Sequence, residues 1–446
     1  MIIAFPLPMS KEIFKNLKQQ LKSFPPHFMI KGELGCANRG PIHFEERQVT
    51  LVQSFEFYAP TRILFGPDTE LQAGTQIRSL GGSRGLLVCG GKSAAASGLL
   101  GRVEESLKEA GLAVQLLSGV QPNPRLSLAR EGVKQALAFR ADFILALGGG
   151  SVIDTAKAIA DGAANPDTDV WQFWLREVPL TRSLPVGVIL TIPAAGSECS
   201  DSAVLTNEET HEKRGFGSDL HRPRFAILNP ALTITLPTYQ VACGVVDIMM
   251  HTMDRYFNPS TDNNLTDELA EGLLRCTIQN GRLAVEQPGN LHAMGELMWA
   301  GSLSHNGLTG LGGAKDFAPH QLGHELSAMF DATHGATLSA VWGSWARYCL
   351  DTNPARFARF GERVWGLSTA GKTPEQAALE AIEATEQFFR TLHMPTSLPE
   401  LGCGVLDEGT LRTLAYRCTY YHTRTIGTFR VLGEEDILAI YRLANQ

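Results

Sequence analysis

The chain has 446 residues, 44% hydrophobic and 19% charged, with 21 Phe and 6 Trp. That length suits two or three domains of roughly 100–200 residues each, and the composition excludes disordered, fibrous and small disulfide-stapled classes. Acidic residues outnumber basic ones by 46 to 39 with no Lys/Arg stripe; this argues against a nucleic-acid or anionic-membrane partner and for a small molecule.

No apolar run reaches the ~18 residues of a membrane span. The opening MIIAFPLPMSKEIFK puts its apolar stretch before its lysines and is broken by two prolines, unlike a secretory leader. The eight cysteines (36, 89, 199, 243, 276, 349, 403 and 418) show no C-x-x-C spacing. They read as free thiols of a reducing compartment, and cytoplasm is the expected location.

Residues 1–54 combine a short amphipathic stretch around Ile13–Leu21 with the turn-rich FPPH, GELG and CANRGP, which predicts a poorly ordered extension. FEFYAPTRILFG (55–66) alternates in the manner of paired strands, and a helix follows over Thr69–Leu80. RGLLVC then leads through Gly90-Gly91-Lys92-Ser93 into a helix, and AVQLLSGV is the next strand. The cycle of strand, glycines and helix repeats from Ala141 to Ala164, and LPVGVILTIPAAGSE supplies another strand ending in small residues. Such alternation implies a parallel sheet with helices on both faces and ligands beyond the carboxyl ends of its strands. After Pro230 long helical periods take over, including Gln240–Tyr256, Asp267–Glu286, His292–His305, Pro319–Met329 and Pro374–Leu392. The predicted fold class is thus an α/β N-terminal domain (55–236) plus an all-helical C-terminal domain (237–446), with a cleft between them.

Gly148-Gly149-Gly150-Ser151 lies between the apolar FILAL and a helix beginning near Val152. Bare backbone N–H groups and a helix N-terminus there make a site for a pyrophosphate, with the Ser151 hydroxyl as a donor and Asp154 one turn further in, toward a ribose or nicotinamide. The same residues also read as an ordinary tight turn, and the spacing is not G-x-G-x-x-G. At the second glycine turn no acidic side chain stands where one would exclude a 2′-phosphate, so Gly91, Lys92 and Ser93 suit NADP, with NAD as the alternative; Lys92 also reads as a solvated surface lysine.

Asp247 and His251, four residues apart on a helix, share one face. Alone they equally describe a hydrogen-bonded core pair. His320, His324 and His334 add three imidazoles within fifteen residues, in a chain with only twelve histidines. Two or three imidazoles with one carboxylate suit Fe2+ or Zn2+ with a position left for a substrate oxygen. The glutamate follows His324, so the pattern is not H-E-x-x-H and a zinc-protease reading fails.

From about Phe55 onward the sequence resembles the iron-containing (group III) alcohol dehydrogenases, in particular the branch of butanol dehydrogenases and broad aldehyde reductases. The resemblance rests on TRILFG, PNP (122–124), LGGGSVIDTAKAIA, TIPAAGSE, FAILNPALTITLP, GVVDIMMHTMDRY and the stretch from MWAGSLSHNGL to THGATLSA. It implies a dehydroquinate synthase-like fold, with a dinucleotide-binding domain over 55–236 and a metal-binding domain over 237–446, and an enzyme that passes hydride between nicotinamide and a metal-bound alcohol or aldehyde. The edge-strand segment near 55–65, free to pair between subunits, makes a homodimer the expected assembly. The resemblance also implies that Asp247, His251, His320 and His334 are the ligands of Fe2+, or Zn2+, and that His324 is a nearby non-ligand histidine serving proton transfer. Cofactor contacts implied are Gly91, Ser93, Asn123, Gly150, Ser151, Asp154, Thr191, Lys213 and Leu232; Lys92 and Gly149, from the two glycine turns, and Ser200 complete the expected set. The chain reads AAGSE where relatives commonly have ATGSE, and Ser200 stands where the aldehyde reductase has asparagine. A glycerol dehydrogenase-like or dehydroquinate synthase-like enzyme, and a silent nucleotide-binding protein, are the rival readings.

Overall fold

A computed structural model describes residues 54–259 and 264–446; except for Ser54, the expected extension lies outside them. Among the described residues eight strands are formed: β1 (Arg62–Phe65), β2 (Arg84–Cys89), β3 (Ala113–Leu117), β4 (Phe143–Gly148), β5 (Val186–Leu190), β6 (Ser202–Asn207), β7 (Glu212–Gly217) and β8 (Phe225–Leu228). Six build one parallel sheet in the order β1-β8-β5-β4-β2-β3. After β2 the chain goes outward to β3 and then returns to the other side of β2 for β4. The order therefore reverses between β2 and β4, where ligands of open α/β sheets bind.

Side-chain alternation assigns the helices to faces. Leu87 and Cys89 of β2 point to the side covered by Ile77 of α1 (Ala73–Ser79) and by Val103 and Leu107 of α2 (Leu99–Glu109). Leu86 and Val88 point to the other, covered by Ala136 of α3 (Leu126–Phe139) and by Ile153, Ala156 and Ile159 of α4 (Gly150–Ala164). Both faces of the central strands are buried, so their sequences are continuous apolar runs. Truncating a fully buried residue such as Ile159 to alanine costs about 2–5 kcal/mol.

The second half is helical: α5 (Thr238–Tyr256), α6 (Asn264–Glu286), α7 (Leu291–His305), α8 (Ala318–Phe330), α9 (His334–Cys349), α10 (Pro354–Trp365), α11 (Pro374–Thr391), α12 (Glu408–Cys418) and α13 (Glu434–Ala444). Every residue of α5 from Val241 to Tyr256 is buried, the polar Asp247, His251, Asp254 and Arg255 included, so the helix runs through the centre of the bundle. Met298 of α7 packs into the core of the sheet, so the two halves share packing. Among the described residues no helix is long and apolar enough to cross a membrane, and the seven described cysteines are free thiols.

Two expectations are corrected. FEFYAPTRILFG is not a pair of strands: only Arg62–Phe65 is a strand, and it pairs in parallel with β8, 163 positions on in register (Arg62↔Phe225). Residues 202–217 form an antiparallel hairpin, β6–β7, that the sequence reading passed over.

Candidate functional site

The carboxyl edge of the sheet gathers the predicted cofactor residues. Gly90–Ser93 follow β2, Gly149–Ser151 follow β4, and Thr191 follows β5, its N–H donating to Gly148 O at 3.1 Å. Gly149 is the N-cap of α4 and has no side chain to occupy the helix's free N–H groups. A Cβ on Gly149 would lie 3.0 Å from Ile192, and one on Gly150 3.1 Å from Ala195, so the turn depends on glycine for close packing. Gly91, Lys92 and Ser93 are exposed, and Leu232 sits half-buried in the turn after β8.

The Asp154 and Ser200 side chains are already engaged by the protein. Asp154 Oδ1 accepts from Ser197 Oγ at 2.6 Å and its Oδ2 from Val204 N at 2.9 Å. Ser200 is fully buried and its hydroxyl donates to Ser202 O at 3.3 Å. Sequence reading missed what holds this loop. Lys157, fully buried on α4 one turn beyond Asp154, donates to Ser197 O at 2.8 Å, Ser197 Oγ at 2.9 Å and Ser202 O at 2.7 Å.

Asn123 lies after β3 with φ 54°, and its side chain is fixed at both ends. Its Oδ1 accepts from Lys213 Nζ on β7 at 2.9 Å, and its Nδ2 donates to Asp331 Oδ1 at 2.9 Å. Burial pulls the Lys213 ammonium down to about 8 against the opposing attraction of Asp247 and Asp154.

In the helical half, α5 carries Asp247 and His251, α8 carries His320 and His324, and α9 begins at His334. Two glycines let these backbones meet. A Cβ on Gly335 would come within 2.2 Å of Cys243 O, and one on Gly244 within 2.1 Å of Pro193 O. Thus α9 and the loop after β5 both lie directly on α5, one turn before Asp247.

Asp247, His251 and His320 each offer a ligand atom within 4.8 Å of the other two. Asp247 Oδ1 is 3.3 Å from His251 Nδ1, 3.6 Å from His320 Nε2 and 3.9 Å from His334 Nε2. All four predicted ligands therefore converge on one carboxylate oxygen, with His334 at the looser end. Asp247 Oδ1, His251 Nδ1 and His320 Nε2 are nonetheless buried without a hydrogen-bond partner. Three orphaned polar atoms at one point are costly unless something joins them. A divalent cation of the Fe2+ or Zn2+ kind fits this donor set.

His320 is aimed by Asp254, whose Oδ2 meets His320 Nδ1 at 2.5 Å. Burial opposes the charged imidazole, but Asp254 and Asp247 outweigh it and hold His320 up to about 9. Burial, then the neighbouring His305 and His320, drives His251 well below the ordinary histidine value. Burial, then Lys213, does the same to His334 and His324, leaving neutral imidazoles with lone pairs to offer.

Asp254 and His305 are site residues that sequence reading missed. Asp254 had a signal, since it follows Asp247 by seven residues on the same helix face. His305, at the end of α7, stacks on His251 with ring centroids 3.9 Å apart and donates from Nδ1 to Ala195 O at 2.7 Å. Only the tertiary fold reveals that contact.

Two family models match the chain: "Iron-containing alcohol dehydrogenase" over residues 60–230 and "Fe-containing alcohol dehydrogenase family, C-terminal" over 241–445. The chain is 38% identical over 390 residues to the NADH-dependent butanol dehydrogenase A of Clostridium acetobutylicum, covering 87% of this chain and 99% of that one. It belongs to the iron-containing alcohol dehydrogenases. The NADPH-dependent aldehyde reductase of Escherichia coli is also 38% identical, over 365 residues that make up 81% of this chain and 92% of that one. Among solved structures, the butanol dehydrogenase A of Thermotoga maritima superposes with a TM-score of 0.84 at 33% identity, covering 88% of this chain and 99% of that one. As an iron-containing alcohol dehydrogenase the protein is an oxidoreductase, and the rival readings as a different enzyme of the same fold or a silent nucleotide-binding protein are set aside.

Proposed function

We propose that this alcohol dehydrogenase interconverts small alcohols and aldehydes with Fe2+ held by Asp247, His251, His320 and His334, and with NADP at the carboxyl edge of the sheet. Residues 55–236 would hold the dinucleotide and 237–446 the metal. The observation that carries this reading is the set of buried, unpartnered ligand atoms on α5 and α8. The preference for NADP rests on Gly91, Lys92 and Ser93, which offer no carboxylate to repel a 2′-phosphate. Relatives named for NADH and for NADPH are both near, so NAD is the competing cofactor, as Zn2+ is the competing metal.

When bound, the cation supplies Lewis acidity to a substrate oxygen and the nicotinamide gives or takes the hydride. The chain's own residues do the rest. The N–H groups at the start of α4, with Ser151, bind pyrophosphate, and Asn123 and Lys213 fix the approach from β3 and β7. Asp254 holds the proton on His320 Nδ1, which turns Nε2 toward the metal position. His324, kept neutral, takes up the alcohol's proton at a ring nitrogen through water or the ribose hydroxyls.

The protein is proposed to be cytoplasmic and dimeric. β1 is an edge strand that ends in the exposed Phe65 and is preceded by the exposed Phe55, Phe57 and Tyr58, which a second copy would cover.

The test is a spectrophotometric screen of short- and medium-chain aldehydes with NADPH and NADH on enzyme loaded with Fe2+ or Zn2+. NADPH-dependent reduction restored by Fe2+ is expected. Failure to retain one metal per chain, or no turnover with any pairing, overturns the proposal.

A further inference from the structure

The loop between α8 and α9 is short and strained, and it delivers His334. Asp331 caps α8 in the left-handed conformation, φ 52°, and α9 starts three residues later at His334. A non-glycine residue takes this conformation at some cost, aspartate and asparagine least. Something must hold it, and two donors do. Asn123 Nδ2 and Arg125 Nη2 both reach Asp331 Oδ1 at 2.9 Å, and the Asn123 amide also lies 3.5 Å from Ala332 O. The donors come from one rigid segment of the α/β half: Thr206 N on β6 donates to Pro124 O at 2.8 Å, and Lys213 holds the far end of the Asn123 amide.

We propose that Asp331 is a positioning residue that clasps the His334 loop to Asn123 and Arg125, so that nucleotide affinity and the placement of His334 change together. The inference rests on the reading of His334 as a metal ligand and Asn123 as a nucleotide contact. It concerns geometry and not stability. The Asp331 side chain is 65% exposed, and an ion pair so open to solvent adds little to folding.

Three chains decide it: the wild type, Asp331→Ala and Asp331→Asn. Zn2+ affinity is measured by competition with a chromophoric chelator, NADPH affinity by nucleotide fluorescence on metal-free protein, and stability by thermal unfolding. Asp331→Ala is expected to weaken both Zn2+ and NADPH binding about fivefold or more while leaving the melting temperature almost unchanged. Asp331→Asn keeps an Oδ1 acceptor and tolerates the left-handed backbone, so it recovers most of the loss. Unchanged affinities in the alanine variant, a fall in melting temperature alone, or no recovery with asparagine would each overturn the clasp. If the wild type itself binds neither Zn2+ nor NADPH, the proposed function fails. The clasp is then judged by hydrogen exchange at residues 333–336 in metal-free protein, where faster exchange in Asp331→Ala supports it and unchanged exchange sinks it.

Discussion

The two halves build their parts of the site from opposite materials. At the edge of the sheet the reactive surface is backbone, N–H groups left bare because Gly149 and Gly150 carry no side chain. In the helical half it is side chain, a carboxylate and imidazoles buried without partners of their own. A backbone site tolerates variation in its neighbours but not a Cβ at its glycines. A side-chain site tolerates no loss of a donor.

The sharpest way to break this contrast is to remove donors in steps. His320→Ala should abolish metal retention and turnover, whereas Asp254→Asn, which leaves every ligand in place, should weaken metal binding only ~10–100-fold; equilibrium dialysis against Fe2+ or Zn2+ separates the two. Equal losses would show that Asp254 belongs to the coordination set. Next in size, Gly149→Ala crowds Ile192 and should weaken NADPH binding roughly tenfold while metal content stays at one per chain. A matching fall in metal content would mean that the halves are not separable as described.

The smallest effect sharpens the comparison at a buried carboxyl to which neither proposed site gives a role. Burial pushes the Glu325 carboxyl up to about 7, with Arg417 and Arg424 pulling the other way. A carboxyl raised above its unfolded value of about 4.3 binds more protons when folded, so its contribution to stability falls as pH climbs from about 4.3 through 7. Glu325→Gln should therefore raise the melting temperature by a few °C at pH 8 and leave it unchanged at pH 4. Parallel curves for wild type and variant would rule this out.

Much of this was legible in sequence because local periodicity wrote it. The central sheet strands are apolar runs, β2 and β4 leading straight into glycine turns, and the spacing of Asp247 and His251 is one turn of α5. The histidine cluster at 320, 324 and 334 pointed to a metal site from composition alone, but which of its members meet Asp247 was given only by the family resemblance; for His334 that meeting depends on Gly335 lying against Cys243. The β6–β7 hairpin escaped notice because its second strand, Glu212–Gly217, is charged and glycine-rich and lacks the alternation that marks a half-buried strand. Lys157 and His305 escaped for a different reason. A lysine on an apolar helix and a histidine at a helix end carry no signature of what they will touch 40 and 54 positions away.

The glycines that seat α5 also limit how the enzyme can be altered. With Pro193 O against Gly244 on one flank and Cys243 O against Gly335 on the other, the helix that carries Asp247 and His251 rests at these two points on backbone and not on compressible side chains. Sliding it outward to admit a bulkier substrate would pull Asp247 and His251 away from His320. Engineering for larger aldehydes must therefore trim side chains around a fixed scaffold.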